Sequence, residues 1–173
     1  MNNNDVYLGN PNLKKANTPH EFTEEQIIEF LKCKEDPVYF ARQYIKIVSL
    51  DEGLVPFNMY DFQEKLINRF HKNRFNICKM PRQTGKSTTC ISYLLHYAVF
   101  NDNVNIAVLA NKASTARDLL GRLQLAYENL PSWMQQGIIS WNKGSLELEN
   151  GSKISANSTS SSAVRGGSYN VIF

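Results

Sequence analysis

Met80-Pro81-Arg82-Gln83-Thr84-Gly85-Lys86-Ser87-Thr88 is the stretch on which the reading of this chain turns. Its Gly-Lys-Ser triplet follows a short apolar segment carrying Phe75, Ile77 and Met80, which reads as a strand, and opens an apolar helix reaching Phe100. Strand, loop and helix in that order form the context in which a phosphate-binding loop works. Backbone N–H groups at such a helix start hold a phosphate chain. Lys86 then reaches the outer phosphates as a point charge, and the Ser87 hydroxyl ligates Mg²⁺. Gly85 lets the backbone turn close to the ligand without a Cβ. The pattern G-x-x-x-x-G-K-[ST] asks for a first glycine where Met80 stands, and Arg82-Gln83 lies inside the loop. The competing reading is an ordinary basic helix start, where the helix dipole disfavours a cation unless an anion sits in front of it.

With 173 residues, 42% of them hydrophobic and 20% charged, the chain is long enough for one domain, or one domain and an appendage, with a real core. A net charge of +3 is too mild to argue for nucleic-acid binding by itself. Cys33, Cys78 and Cys90 show no CxxC or Cys/His pairing, which argues against zinc and suits a reducing compartment. Cys78 and Cys90, in apolar contexts beside the loop, are expected in the core. The first residues, Met1-Asn2-Asn3-Asn4-Asp5, do not resemble a secretory signal, and no apolar stretch is long enough for a membrane span.

Residues 1–20, rich in Asn, Pro and Lys, read as a flexible arm. Residues 21–73 read as a helical segment. Thr23-Glu24-Glu25-Gln26 is a capping box for a helix to about residue 34. Asp36-Pro37 starts a second helix to about Ile47 with Tyr39, Phe40, Tyr44 and Ile47 on one face. Residues 61–72 form a third, with Phe62, Leu66, Ile67 and Phe70 on one side. Residues 74–173 read as the core. The run from Val104 to Ala110 is a buried parallel strand. Asn111 caps a helix to about residue 129 with Ala116, Leu119, Leu120, Leu123 and Tyr127 inward, and Asn150-Gly151 makes a two-residue hairpin turn. Residues 169–173 are another strand. The alternation implies an α/β domain with a mostly parallel sheet.

Four further features resemble one family. Phe62-Gln63 lies about 20 residues before the loop, and Arg82-Gln83 inside it. Ile106-Ala107-Val108-Leu109-Ala110 leads into Asn111-Lys112-Ala113-Ser114, and Ala163-Val164-Arg165-Gly166 precedes an apolar strand. Together they resemble the ATPase domain of the large terminase subunit of tailed bacteriophages, of the myovirus type. Matching stretches around Gly9-Asn10-Pro11, Asp36-Pro37-Val38, Trp141-Asn142-Lys143-Gly144 and Leu148-Glu149-Asn150-Gly151 extend the likeness from Tyr7 to Phe173. The resemblance implies an additional-strand, RecA/helicase-like P-loop NTPase sheet flanked by helices and preceded by a helical segment.

The resemblance also implies roles. Phe62 packs on adenine and the Gln63 amide reads its edge; the competing reading is an amphipathic helix with Phe62 in the core and Gln63 in solvent. Arg82 and Lys86 are the candidate catalytic residues. A guanidinium at Arg82 stabilises transition-state charge, worth on the order of 10³–10⁵ in rate in other NTPases, or else it only positions the nucleotide. Pro81, Arg82, Gln83, Thr84, Gly85, Lys86, Ser87 and Thr88 hold ATP, with Ser87 on Mg²⁺. Arg165-Gly166-Gly167 resembles a coupling motif, or is a basic turn. Trp133 and Trp141 read as packing residues rather than base-stacking ones, and His71 and His96 as helix-face residues.

Implied partners are double-stranded DNA, a portal protein, a small terminase subunit and further copies in a ring, with no membrane. The implied location is the host cytoplasm at the viral prohead. In the family an Asp-Glu pair follows the strand that Tyr169 begins, and a nuclease domain lies beyond; here no Asp or Glu follows Glu149. The expectation is therefore a truncated ATPase segment that binds ATP weakly and hydrolyses it negligibly alone. The alternatives are a fragment of a helicase-like DNA translocase and a non-catalytic ATP-binding fragment. A small-molecule kinase fits less well with a helical segment ahead of the loop.

Overall fold

The computed structural model describes residues 5–49, 51–159 and 167–173. A five-stranded mixed sheet forms its centre, built from β5 (Asn105–Ala110), β6 (Ile138–Trp141), β7 (Ser145–Leu148), β8 (Lys153–Ser158) and β9 (Val171–Ile172), in the order β6-β7-β8-β5-β9. β5 is the apolar run, flanked on both sides by parallel neighbours: Ile106 faces Ile154 on β8 and Val171 on β9. With both edges paired and α5 packed against it, its Ile106, Ala107 and Val108 are closed to solvent. β6, β7 and β8 meet antiparallel, so the sheet is mixed rather than mostly parallel. The β7–β8 turn is also longer than two residues. Leu148 N–H donates to the Ser152 carbonyl and Gly151 N–H to the Leu148 carbonyl, with Gly151 at φ +79°. This is a three-residue loop with glycine in the left-handed position.

α4 (Lys86–Phe100) and α5 (Ala113–Glu128) follow the expected spans, except that the N-cap of α5 is Lys112, with no side-chain bond, rather than the expected Asn111. α5 packs on β5 and β8 through Ala116, Leu120, Leu123 and Tyr127; α4 packs on α5. The β7–β8 loop finishes α4: Asn150 Nδ2 donates to the carbonyls of Ala98 (2.9 Å) and Asn101 (3.0 Å). These are among the carbonyls a helix end leaves without a partner.

Ahead of the loop stand α1 (Glu24–Glu35), α2 (Pro37–Tyr44) and α3 (Asp61–Lys72). Thr23 and Gln26 form the expected capping box, and Asp36 Oδ1 accepts from the N–H groups of Val38 and Tyr39, both at 2.9 Å. α2 ends at Tyr44, short of Ile47. β3 (Lys46–Ser49) takes over and pairs with β4 (Gly53–Pro56), because Ile47 and Val48 are β-branched and suit a strand.

Two further expectations fail. The supposed arm contains a hairpin, β1 (Val6–Tyr7) and β2 (Asn10–Lys14), turning at Leu8-Gly9 with both φ positive. Val6 and Leu13 are buried, and the buried Gln135 ties the hairpin to the end of α5. Gln135 Oε1 accepts from Lys14 N–H (3.0 Å), while its Nε2 donates to the carbonyls of Asn12 and Leu130. In addition, residues 73–80 form no strand. Phe75 is 84% and Ile77 99% exposed, and Cys78 is exposed rather than core. A strand needs a ladder partner, and no described strand pairs with this segment.

Candidate functional site

The loop of residues 80–88 bends by placing two residues in the left-handed region, Gln83 at φ +62° and Gly85 at φ +73°. Gln83 is not glycine, so its conformation carries a cost of roughly 1 kcal/mol or more. The Thr84 hydroxyl donates to the Pro81 carbonyl at 3.1 Å and so closes the bend. The Lys86 ammonium folds back onto the carbonyls of Met80 (3.2 Å) and Pro81. Thr89 N–H makes the first bond of α4, to the Gly85 carbonyl at 3.0 Å. Among the described residues no partner holds the N–H groups of Lys86, Ser87 and Thr88, as expected in the first turn of a helix. Neither the exposed Arg82 guanidinium nor the Ser87 hydroxyl makes a hydrogen bond there.

The loop thus presents free N–H donors, an ammonium held only by carbonyls, and one free hydroxyl. Phosphate oxygens and a phosphate-bound Mg²⁺ fit that donor set. The described residues hold no group of three or more His, Cys, Asp or Glu that would bind a metal without phosphate help. Burial pushes the Cys90 thiol up to about 12, so it is no nucleophile.

α3 supplies the neighbouring side chains, with an outcome opposite to the amphipathic expectation. Gln63 is 3% exposed and Phe62 41% exposed. Gln63 Oε1 accepts from Tyr60 N–H at 2.9 Å, the return half of a capping box, and Nε2 donates to the Thr84 carbonyl at 3.3 Å. Phe62 instead stacks on Tyr60, with centroids 5.6 Å apart and planes 10° from parallel. Tyr60, which the sequence reading passed over, is the aromatic partner of the candidate Phe62. An aromatic two residues before Phe62, at the cap of an otherwise clear helix, is the available signal.

Other candidates do not join the site. Arg165 and Gly166 lie outside the described residues. Trp133 packs edge-on to Tyr44 and Trp141 tilts against Tyr127, so both are packing residues. His71 is exposed, whereas His96 is buried: its Nε2 donates to the Cys33 carbonyl at 2.8 Å, and Nδ1 has no partner. Burial lowers its pKa to about 4; the Cys33 carbonyl pulls the other way and His71 adds to the lowering. No helix among the described residues is long and apolar enough to cross a membrane.

Comparison with known proteins bears on this geometry. The crystal structure of the HK97 bacteriophage large terminase is similar in fold, with a TM-score of 0.63 at 18% identity over 80% of this chain. The match spans 30% of that protein's chain. The family model described as terminase large subunit, T4likevirus-type, N-terminal, matches residues 77–173, which is more than half of the sequence and includes the whole loop. The chain belongs to the T4likevirus-type terminase large subunit family, in its N-terminal part.

Proposed function

We propose that this chain is the ATP-binding segment of a viral DNA-packaging motor, with a P-loop NTPase core of the additional-strand, RecA/helicase-like kind. The observation that carries the reading is the loop. Its two left-handed residues, free N–H groups and carbonyl-held ammonium occur in a chain of the terminase large subunit family. Bound ATP·Mg²⁺ supplies the phosphoanhydride bond whose hydrolysis drives movement of double-stranded DNA. Lys86 exchanges the Met80 and Pro81 carbonyls for phosphate oxygens. The N–H groups of Gln83, Thr84, Gly85, Ser87 and Thr88 line the phosphate chain, beside Pro81. Ser87 offers its hydroxyl to Mg²⁺, and Arg82, exposed at the rim, balances phosphate charge. Phe62 and Tyr60 offer a flat aromatic face to the base.

In the complete motor the partners are double-stranded DNA, a portal protein, a small terminase subunit and further copies in a ring, at the prohead in the host cytoplasm. On their own these 173 residues bind ATP weakly and turn it over negligibly, because none of the loop residues 80–88 is a carboxylate able to hold Mg²⁺ or orient the attacking water. Loss of a positioned base costs about 10²–10⁴ in rate. Radiolabelled ATP turnover by the purified chain tests this. Release of phosphate at background level is expected, and turnover that Lys86→Ala abolishes would overturn the hydrolysis-deficient reading.

A further inference from the structure

We infer that the outer face of α3, through Lys65, Arg69 and Lys72, is an interaction surface for the phosphate backbone of double-stranded DNA. The choice of partner rests on the packaging role proposed above.

Four basic residues and no acidic one fall between Lys65 and Arg74. Removing those four from the chain's 19 basic residues leaves 15 against 16 acidic, so this one stretch accounts for the net positive charge. Helical spacing gathers it. Lys65, Arg69 and Lys72 stand at i, i+4 and i+7, on one face and along about 10 Å of axis. On the other side of α3, Leu66 and Ile67 are buried and Phe70 packs on the core. The helix is thereby held with its three cations exposed. None of them makes an ion pair among the described residues. Asp61, one turn before Lys65, does not pair with it, and Glu64 is taken by Arg42. Lys65, Asn68, Arg69, Lys72 and Asn73 line a hollow of about 310 Å³. Lysine and arginine are donors without acceptors, so the hollow suits oxygen anions.

The helix dipole explains only part of this. It favours cations in the last turn, where Arg69 and Lys72 stand. Lys65 lies mid-helix, beyond that effect. Like charges one turn apart also repel, and a polyanion spanning both turns relieves the repulsion. Each strand of B-DNA carries one phosphate per roughly 3.4 Å of axis, so about three phosphates match the length of this face. Exposed lysine and arginine at that spacing hold a backbone and read no sequence.

Fluorescence anisotropy with a labelled random-sequence duplex, over a salt series, tests the surface on the 173-residue chain. One variant combines Lys65→Gln, Arg69→Gln and Lys72→Gln. A control combines Lys15→Gln, Lys34→Gln and Lys46→Gln, removing the same charge from exposed lysines elsewhere. Both are compared with wild type at equal folded content by circular dichroism. The α3 variant is expected to lose at least roughly tenfold in affinity at about 50 mM salt, with a salt slope shallower by about 2–3; the control keeps the wild-type slope. Mg·ATP titration should give the same affinity for the α3 variant as for wild type. Equal duplex binding by the α3 variant and the control would overturn the inference, as would a wild type that binds no duplex at low salt. Tighter binding of polyglutamate than of duplex, lost in the α3 variant, would overturn it in favour of an acidic protein segment. A wild type that binds duplex through α3 but does not bind Mg·ATP would overturn the phosphate-loop reading and leave this surface standing.

Discussion

Gly85 meets two demands at once. Its φ of +73° is a conformation that residues with a Cβ adopt at a cost, and its open side is filled by the Gln63 amide. Gly85→Ala is expected to lower stability by about 1–3 kcal/mol and to weaken phosphate binding more than any change at the exposed Arg82. Urea unfolding with a parallel ATP titration measures both. His96 sets a pH dependence. Its folded-state pKa of about 4 lies below the 6.5 of an unhindered imidazole, so on acidification the unfolded chain takes up the proton first. Stability is therefore fully present above about pH 6.5 and falls as the pH drops towards 4, by at most roughly 3 kcal/mol. Unfolding of His96→Phe over that range should show a flatter profile; an unchanged slope would remove His96 as its source. At this scale the sequence was partly legible. Gln63 stands at the helical spacing of Leu66, Ile67 and Phe70, all on the inner face, so periodicity points it inward. Polarity pointed it outward, and the two free hydrogen-bonding groups of Tyr60 and Thr84 decided the matter.

Helices with a 3.6-residue period were readable nearly to the residue, as α1, α3, α4 and α5 show, although only α1 of these has a side-chain N-cap. Segments that depend on a distant partner were not. Phe75 and Ile77 alternate like a strand, but alternation supplies side-chain directions and no ladder partner. Replacing both by serine is expected to change the stability of this chain by less than about 0.5 kcal/mol, since both are exposed. A loss of several kcal/mol in chemical unfolding would show that they are buried in solution. The β1–β2 hairpin was hidden by its polarity, with Val6 and Leu13 its only buried apolar residues, although Leu8-Gly9 is a two-residue turn signal. Asn150 carries the reverse lesson. Its turn was legible, but its two bonds to the end of α4 were not, because Ala98 and Asn101 lie some 50 positions away. Asn150→Ala should cost about 1–2 kcal/mol in thermal or urea unfolding.

For the whole molecule, the α/β class followed from the alternation of apolar run and amphipathic helix, and the sheet order did not. Parallel placement of β8 and β9 on either side of β5 is a tertiary choice that local pattern leaves open. The bend of residues 80–88 into α4 was the most legible local feature, because a contiguous stretch carries it. Its helix stayed in place even though the segment before it joined no sheet. The central claim is that residues 80–88 bind the phosphates of a nucleotide through Lys86 and the start of α4. The most direct measurement is a calorimetric titration of Mg·ATP into the 173-residue chain and into Lys86→Ala at equal folded content by circular dichroism. Saturable one-to-one binding by the wild type, weakened at least tenfold in the variant, is the expected result. Equal affinity in the two proteins, or no binding by the wild type at millimolar ATP, would contradict the account.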